Sequence, residues 1–439
     1  VWTVWLMTRS ANPKYQDEMR VWLEELFAKN ASHKEMVEKL LTAKGKTSDN
    51  GAVNYILRHL GEIQNDGGKL DEGVFDAVPI TSRTSRLFLG LQTQCVQCHD
   101  HPFNPDWKQS NFWGVNVFFK QVDREPRELG RQRPRMDAPE LTLKDNTAAN
   151  EEAIVSYEKR NGVVQQTRAV FLDGRKIDFE KDTRPRREVL AGLVTSSKYF
   201  PKAYVNRMWG HLFGRGLNEQ PAVDDFGEHN KVVHPELLDY LATEFAADTP
   251  GYEANPHNAF DPKKLLYWLC TSDAYGLSSV PNGTNDKPEA EVFFGRMLLK
   301  AMTPEQLFES LALATEGVVQ RHSEERKKRR DDWMKKLVVN FGDDEGNEIT
   351  FNGTLLQALM LMNGKELSEA IRSKGTLVEA MRKGKGNPNR VIEEIYLATL
   401  NRRPGNEASK VNKFRSADPN FYADLMWALV NSNEFMLNH

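Results

Sequence analysis

The sequence predicts a mainly α-helical protein, two helical domains with a small β insert near residues 163–179, and three observations carry that prediction. Apolar residues recur at helical spacing through most of the 439 residues. Helix starts are marked by capping boxes at Ser32 with Glu35, at Thr303 with Pro304 and Gln306, and at Thr376 with Glu379. β-branched and aromatic residues flanking a turn pair concentrate only at Val163–Phe179, around Asp173-Gly174.

The elements follow in order. The chain opens inside a helical pattern, with no capping residue before Trp2, Val4, Trp5 and Leu6, so an N-terminally incomplete or processed chain is expected. Helices are expected around 15–29, 34–43, 82–97 and 110–120, giving a first domain over 1–122. Residues 123–147, rich in Arg, Pro and Asp and without periodicity, read as an exposed connector. The connector and the β insert together span 123–185. From Arg186 the helical pattern returns and runs to 439, interrupted by loops at 248–262 and 276–291 and ending in an amphipathic stretch at 421–437. The mixed charges of Arg321–Lys336 read as a solvated helix face, because Glu324, Glu325, Asp331 and Asp332 flank the basic residues.

Composition narrows the function classes. Fifty-nine Lys and Arg against 62 Asp and Glu leave a formal charge of −3, which provides no positive field for nucleic acid and argues against a general nucleic-acid partner. No stretch reaches the ~18 uninterrupted apolar residues of a membrane helix, so no span is expected in this chain.

Only three cysteines occur, and two fall in Cys95-Val96-Gln97-Cys98-His99. From the chain's own Cys and His frequencies, C-x-x-C-H is expected by chance roughly 5 times in 10,000 such sequences, so the grouping calls for a chemical reason. Three reasons are open. In covalent haem attachment, Cys95 and Cys98 form the thioethers and His99 is the proximal iron ligand. In a zinc site, the two thiolates and His99 or His101 bind the metal, completed from elsewhere. In a redox disulfide, a strand should precede the pair, whereas Leu87–Gln94 reads as helix. His101 is a hydrogen-bonding neighbour of the site, a separate ligand, or a solvated turn histidine. Cys270, inside the apolar run from Leu265, reads as a small buried hydrophobe.

At these residues the chain resembles a known family. Cys95–Trp107, followed by Phe112-Trp113-Gly114 and Phe118-Phe119, resembles the cytochrome-type domain of secreted planctomycete proteins, where a C-x-x-C-H-D-H-P-F segment precedes an aromatic-rich helix. Asn206–Leu217, Asp224-Asp225-Phe226-Gly227 and His234–Asp239 resemble the planctomycete-specific domain that usually follows it, as do Thr271-Ser272 and the ending at Asn431–Phe435. The resemblance implies a cytochrome-type domain that begins before the point matching Val1. It further implies export, and company with a co-encoded secreted hydrolase-like protein. Both domains are of unknown function, so the resemblance supplies no reaction.

A monohaem site needs a sixth ligand or an open position. His211, within Arg207-Trp209-His211, is the first candidate for a distal ligand or distal-pocket base, and Met208 is a softer one. Arg207, Trp209 and Arg215 are candidates for contacts to the haem or its propionates. Asp224 and Asp225 either bind a hard cation such as Ca²⁺ or anchor Arg207 and Arg215. His234, before Pro235, has a turn or capping role as its rival to any ligand role.

The expectation is an exported c-type protein with one covalent haem and a redox role in the periplasm or cell envelope. It is either an electron carrier for a partner protein or a haem-dependent oxidoreductase on a small-molecule or carbohydrate substrate. The alternatives are a zinc-binding scaffold or hydrolase using Cys95, Cys98 and a histidine, and a structural or interaction module of an envelope assembly.

Overall fold

The computed structural model describes residues 1–65, 73–104, 107–129, 138–250, 257–316, 387–414 and 420–438, together with residues 328, 330–332 and 371. The capping box at Thr376 lies outside the described residues, as does most of the charged 321–336 segment, in which Arg330 faces Glu309 at 3.8 Å. The described residues divide into two compact units, 1–277 with 284–295, and 278–283 with 296–439.

The first unit opens with α1 (Trp2–Met7), α2 (Pro13–Ala28) and α3 (His33–Thr42). Asn12 accepts the Lys14 N–H ahead of Pro13, and Ser32 accepts the Glu35 N–H at 3.1 Å, so both helices start where a side chain satisfies an orphan donor. Met19, Leu23 and Leu26 form the buried stripe of α2. The two-residue strand β1 (Gly45–Lys46), α4 (Val53–His59) and α5 (Val78–Leu89) follow.

The helix expected over 82–97 ends at Leu89. Gly90 takes the left-handed conformation at φ 66°, where its N–H bonds back to Arg86 O, and the chain turns away. Residues Gln94–Gln97 form a separate 3₁₀ turn. Beyond it lie α6 (Gln109–Asn116) and a second 3₁₀ turn at Val117–Phe119.

The expected connector holds two strands, β2 (Val122–Glu125) and β3 (Thr142–Asp145), which join β1 in the order β1-β3-β2 with antiparallel pairing. Their four-residue polar sequences carry no alternation that periodicity could detect. The β insert begins earlier than its sequence signal: β4 (Ile154–Glu158) pairs with β5 (Val164–Arg168), and Asp173-Gly174 turns a further one-bridge excursion between Val170 and Lys176.

Then come α7 (Arg186–Thr195), α8 (Tyr199–Phe213), α9 (Pro235–Ala246) and α10 (Pro262–Cys270). Helix α7 packs on α3, and α8 packs on both α5 and α9, so helices from either side of the connector share one core. Cys270 is exposed, against expectation. Leu265 and Leu269, four residues apart, occupy the inner face of α10, and the next position rotates outward.

The second unit contains β6 (Lys300–Ala301), α11 (Pro304–Glu316), α12 (Pro388–Leu400), α13 (Glu407–Phe414), α14 (Phe421–Val430), α15 (Asn433–Met436) and β7 (Leu437–Asn438). The capping box of α11 is reciprocal, with Thr303 Oγ1 accepting from Gln306 N–H and Gln306 Oε1 from Thr303 N–H. Leu307, Leu311, Ile392, Ile395 and Met426 are at its core. The amphipathic ending breaks at Ser432, whose hydroxyl caps α15.

Candidate functional site

The C-x-x-C-H segment is built on a single 3₁₀ turn. The turn carries Cys95, and Cys98 caps its end, donating its N–H to Cys95 O at 3.4 Å. Val96, 1% exposed, is buried between them in the sequence, while both thiols are exposed and unbridged. Gln97 O accepts hydrogen bonds from Gln109 Nε2 and Trp113 Nε1, each at 3.0 Å, and Asp100 Oδ1 accepts the Gln109 N–H at 2.8 Å. The turn is therefore clamped to the first residues of α6.

These contacts also orient the imidazoles. The His99 Nδ1–H donates to Asp100 O at 2.7 Å, which leaves the Nε2 lone pair for a metal. His101 is the opposite tautomer: its Nδ1 accepts the Phe103 N–H at 3.2 Å, so Nε2 carries the proton. The His101 ring is buried edge-on to Trp107 at 5.1 Å, and burial, then the neighbouring His229, lowers its pKa. It is not a solvated turn residue.

The accompanying segment reaches this site through Asp225 and His229. His229 Nε2–H donates to Asp225 Oδ1 at 2.9 Å, and its ring stands 5.0 Å from that of His101 and 5.8 Å from Phe103. The buried His229 Nδ1 has no partner. Gly227 makes the approach feasible, since a Cβ there would lie 2.6 Å from the His229 ring. Although Cys95 is exposed as a residue, partial desolvation pushes its thiol up and the charge of Asp225 adds to that, which favours the protonated thiol, unlike an activated redox cysteine. His229 was not singled out in the sequence. Its signal was an acid and an imidazole four residues apart around a glycine.

Asp224 and Asp225 diverge. Asp224 faces Arg86 Nε at 2.7 Å and Arg207 at 3.5 Å, and although burial raises its carboxyl, those guanidinium charges hold it below the ordinary carboxylate range. Arg215 donates to the carbonyls of Asn218 and Glu219. Arg207 lies over the Trp5 ring at 5.4 Å. Among the described residues, no group of three or more His, Cys, Asp or Glu is arranged to hold a bare metal ion.

The other candidates sit elsewhere in α8. His211 is edge-on to Trp5 at 5.6 Å, Met208 is buried, and Trp209 stacks on Phe213 at 4.1 Å. His234 donates from Nε2 to Val292 O at 2.8 Å, just ahead of α9.

The donor set fits covalent haem: two exposed free thiols three residues apart, followed by an imidazole whose Nδ1 is engaged by a backbone carbonyl. Residues 6–124 match the family profile PSCyt2, "Protein of unknown function (DUF1549)", and residues 186–348 match PSD1, "Protein of unknown function (DUF1553)". No curated protein matches the chain, and no solved structure does. The chain belongs to the proteins that join the DUF1549 planctomycete cytochrome domain to the DUF1553 domain accompanying it, in that order.

Proposed function

We propose that this chain is an exported c-type monohaem protein with a redox role at the cell envelope. The observation that carries the reading is the contact of His99: its Nδ1 lies 2.7 Å from the Asp100 carbonyl oxygen, which turns Nε2 outward directly after two free, exposed thiols. Cys95 and Cys98 tether the group and His99 binds its iron. When bound, haem supplies a one-electron couple. The clamp from Gln109 and Trp113 holds the turn, and Asp225 with His229 forms a polar border beside it. The redox partner is a protein or a small molecule. Export follows from covalent attachment, which takes place outside the cytoplasmic membrane.

The test is an absorbance spectrum of the chain from its native source or from a host that matures c-type cytochromes, followed by peroxidase staining of a denaturing gel. A Soret band and a stained polypeptide are expected, both lost in a Cys95→Ser, Cys98→Ser variant. A colourless protein with stoichiometric zinc would overturn the reading in favour of a zinc scaffold.

A further inference from the structure

Beside the motif, on the side of the accompanying domain, lies a cavity of about 350 Å³ within the first unit. Asn104 enters it from the end of the C-x-x-C-H-D-H-P-F-N segment, Tyr199 and Lys202 from the start of α8, Phe226 and Lys231 from the loop that carries His229, and Asp239 from α9. Gly227 connects the two places, since it lines the cavity and also packs against the His229 ring.

The lining chemistry selects one ligand class. Two ammonium groups and two carboxylates are present and already face each other, Lys202 with Asp239, and Lys231 with Glu228 at 3.7 Å. Their charges cancel, so the cavity offers no net field to gather an anion or a cation. It offers instead alternating donors and acceptors, to which a hydroxyl is suited because it does both at once. Tyr199 and Phe226, with ring centroids 6.3 Å apart, supply an aromatic wall. The volume is near the lower end of roughly 300–1,000 Å³ for ligand pockets, the scale of one ring and not of a polymer segment.

We infer that this cavity binds a neutral polyhydroxylated ligand, a single sugar ring or cyclic polyol. Binding stands whether or not haem is attached, whereas the ligand's standing as a redox substrate rests on the function proposed above.

The full chain, haem-free and haem-loaded, is examined by saturation-transfer difference NMR with methyl β-glucopyranoside, methyl β-galactopyranoside and myo-inositol. Gluconate and glucosamine serve as charged counterparts. Transfer to at least one neutral probe is expected from the haem-free chain, with affinity reduced on the order of tenfold or more when charged hydrogen-bond partners are removed in Lys202→Met with Asp239→Asn. Asp239 is 58% exposed at its side chain and Lys202 31%, so that variant keeps its fold, and an unchanged melting temperature verifies it. No transfer to any neutral probe, tighter binding of gluconate or glucosamine, or undiminished binding by the variant would each overturn the assignment. Because the haem-free chain is assayed directly, a failure of haem attachment cannot pass for a failure of ligand binding.

Discussion

Individual side chains show which groups the fold keeps from ionising. His33 is stacked on Phe200 at 4.9 Å and against Tyr204 at 4.1 Å, and burial, then the charge of Arg207, lowers its pKa to about 3. His59 donates from Nε2 to Leu6 O at 2.8 Å, yet burial brings it to about 3 as well. Both are neutral in the folded chain, and the unfolded chain binds more protons between the ordinary histidine pKa of about 6.5 and pH 3. Their stabilising effect is complete above pH 6.5 and is lost as the pH falls, at up to about 1.4 kcal/mol per unit for each histidine. The melting temperature is therefore expected to drop between pH 6.5 and 4. A His33→Phe variant should show a shallower acid limb, and an identical limb in both proteins would show that burial of His33 does not govern it.

Among the secondary elements, the end of α5 decides where the motif begins. Gly90 combines a left-handed backbone with close approach, since a Cβ there would lie 2.7 Å from two carbons of the Phe226 ring, and its carbonyl accepts the Phe226 N–H at 2.8 Å. Gly162, in the turn between β4 and β5, has φ 81° but open space around it. Gly90→Ala is expected to cost about 1–3 kcal/mol, and more than Gly162→Ala, which meets the backbone penalty alone. Urea unfolding of the two variants measures the difference. Equal losses would mean that the Phe226 contact is without consequence.

The whole molecule does not divide where its sequence families do. The first compact unit combines the DUF1549 match with the N-terminal part of the DUF1553 match, because α7 covers α3 and α8 covers α5. The buried Asp224 with Arg86 and Arg207 ties the same two segments by charge. A chain of residues 1–295 is accordingly expected to melt cooperatively, whereas residues 1–185, deprived of α7, α8 and α9, should lack a cooperative transition. Circular dichroism on both fragments checks this, and a folded 1–185 fragment would show that the cytochrome-type segment has a sufficient core of its own.

The sequence by itself determined what is encoded locally. The caps at Ser32 and Thr303, the apolar stripes of α2 and α3, and the spacing of Cys95, Cys98 and His99 are relations among residues within a few positions of one another, so periodicity and chemistry expose them. The tertiary structure alone decided the rest. Strands β2 and β3 exist because they pair with each other and with β1, not because their four residues favour a strand. Cys270 faces outward because Leu265 and Leu269 take the inner face. Most of all, His229 lies beside His101 across a separation of more than a hundred residues, a proximity set by how α8 packs on α5 and by the absence of a side chain at Gly227. Contacts between distant residues are settled by packing, and packing is a property of the folded whole.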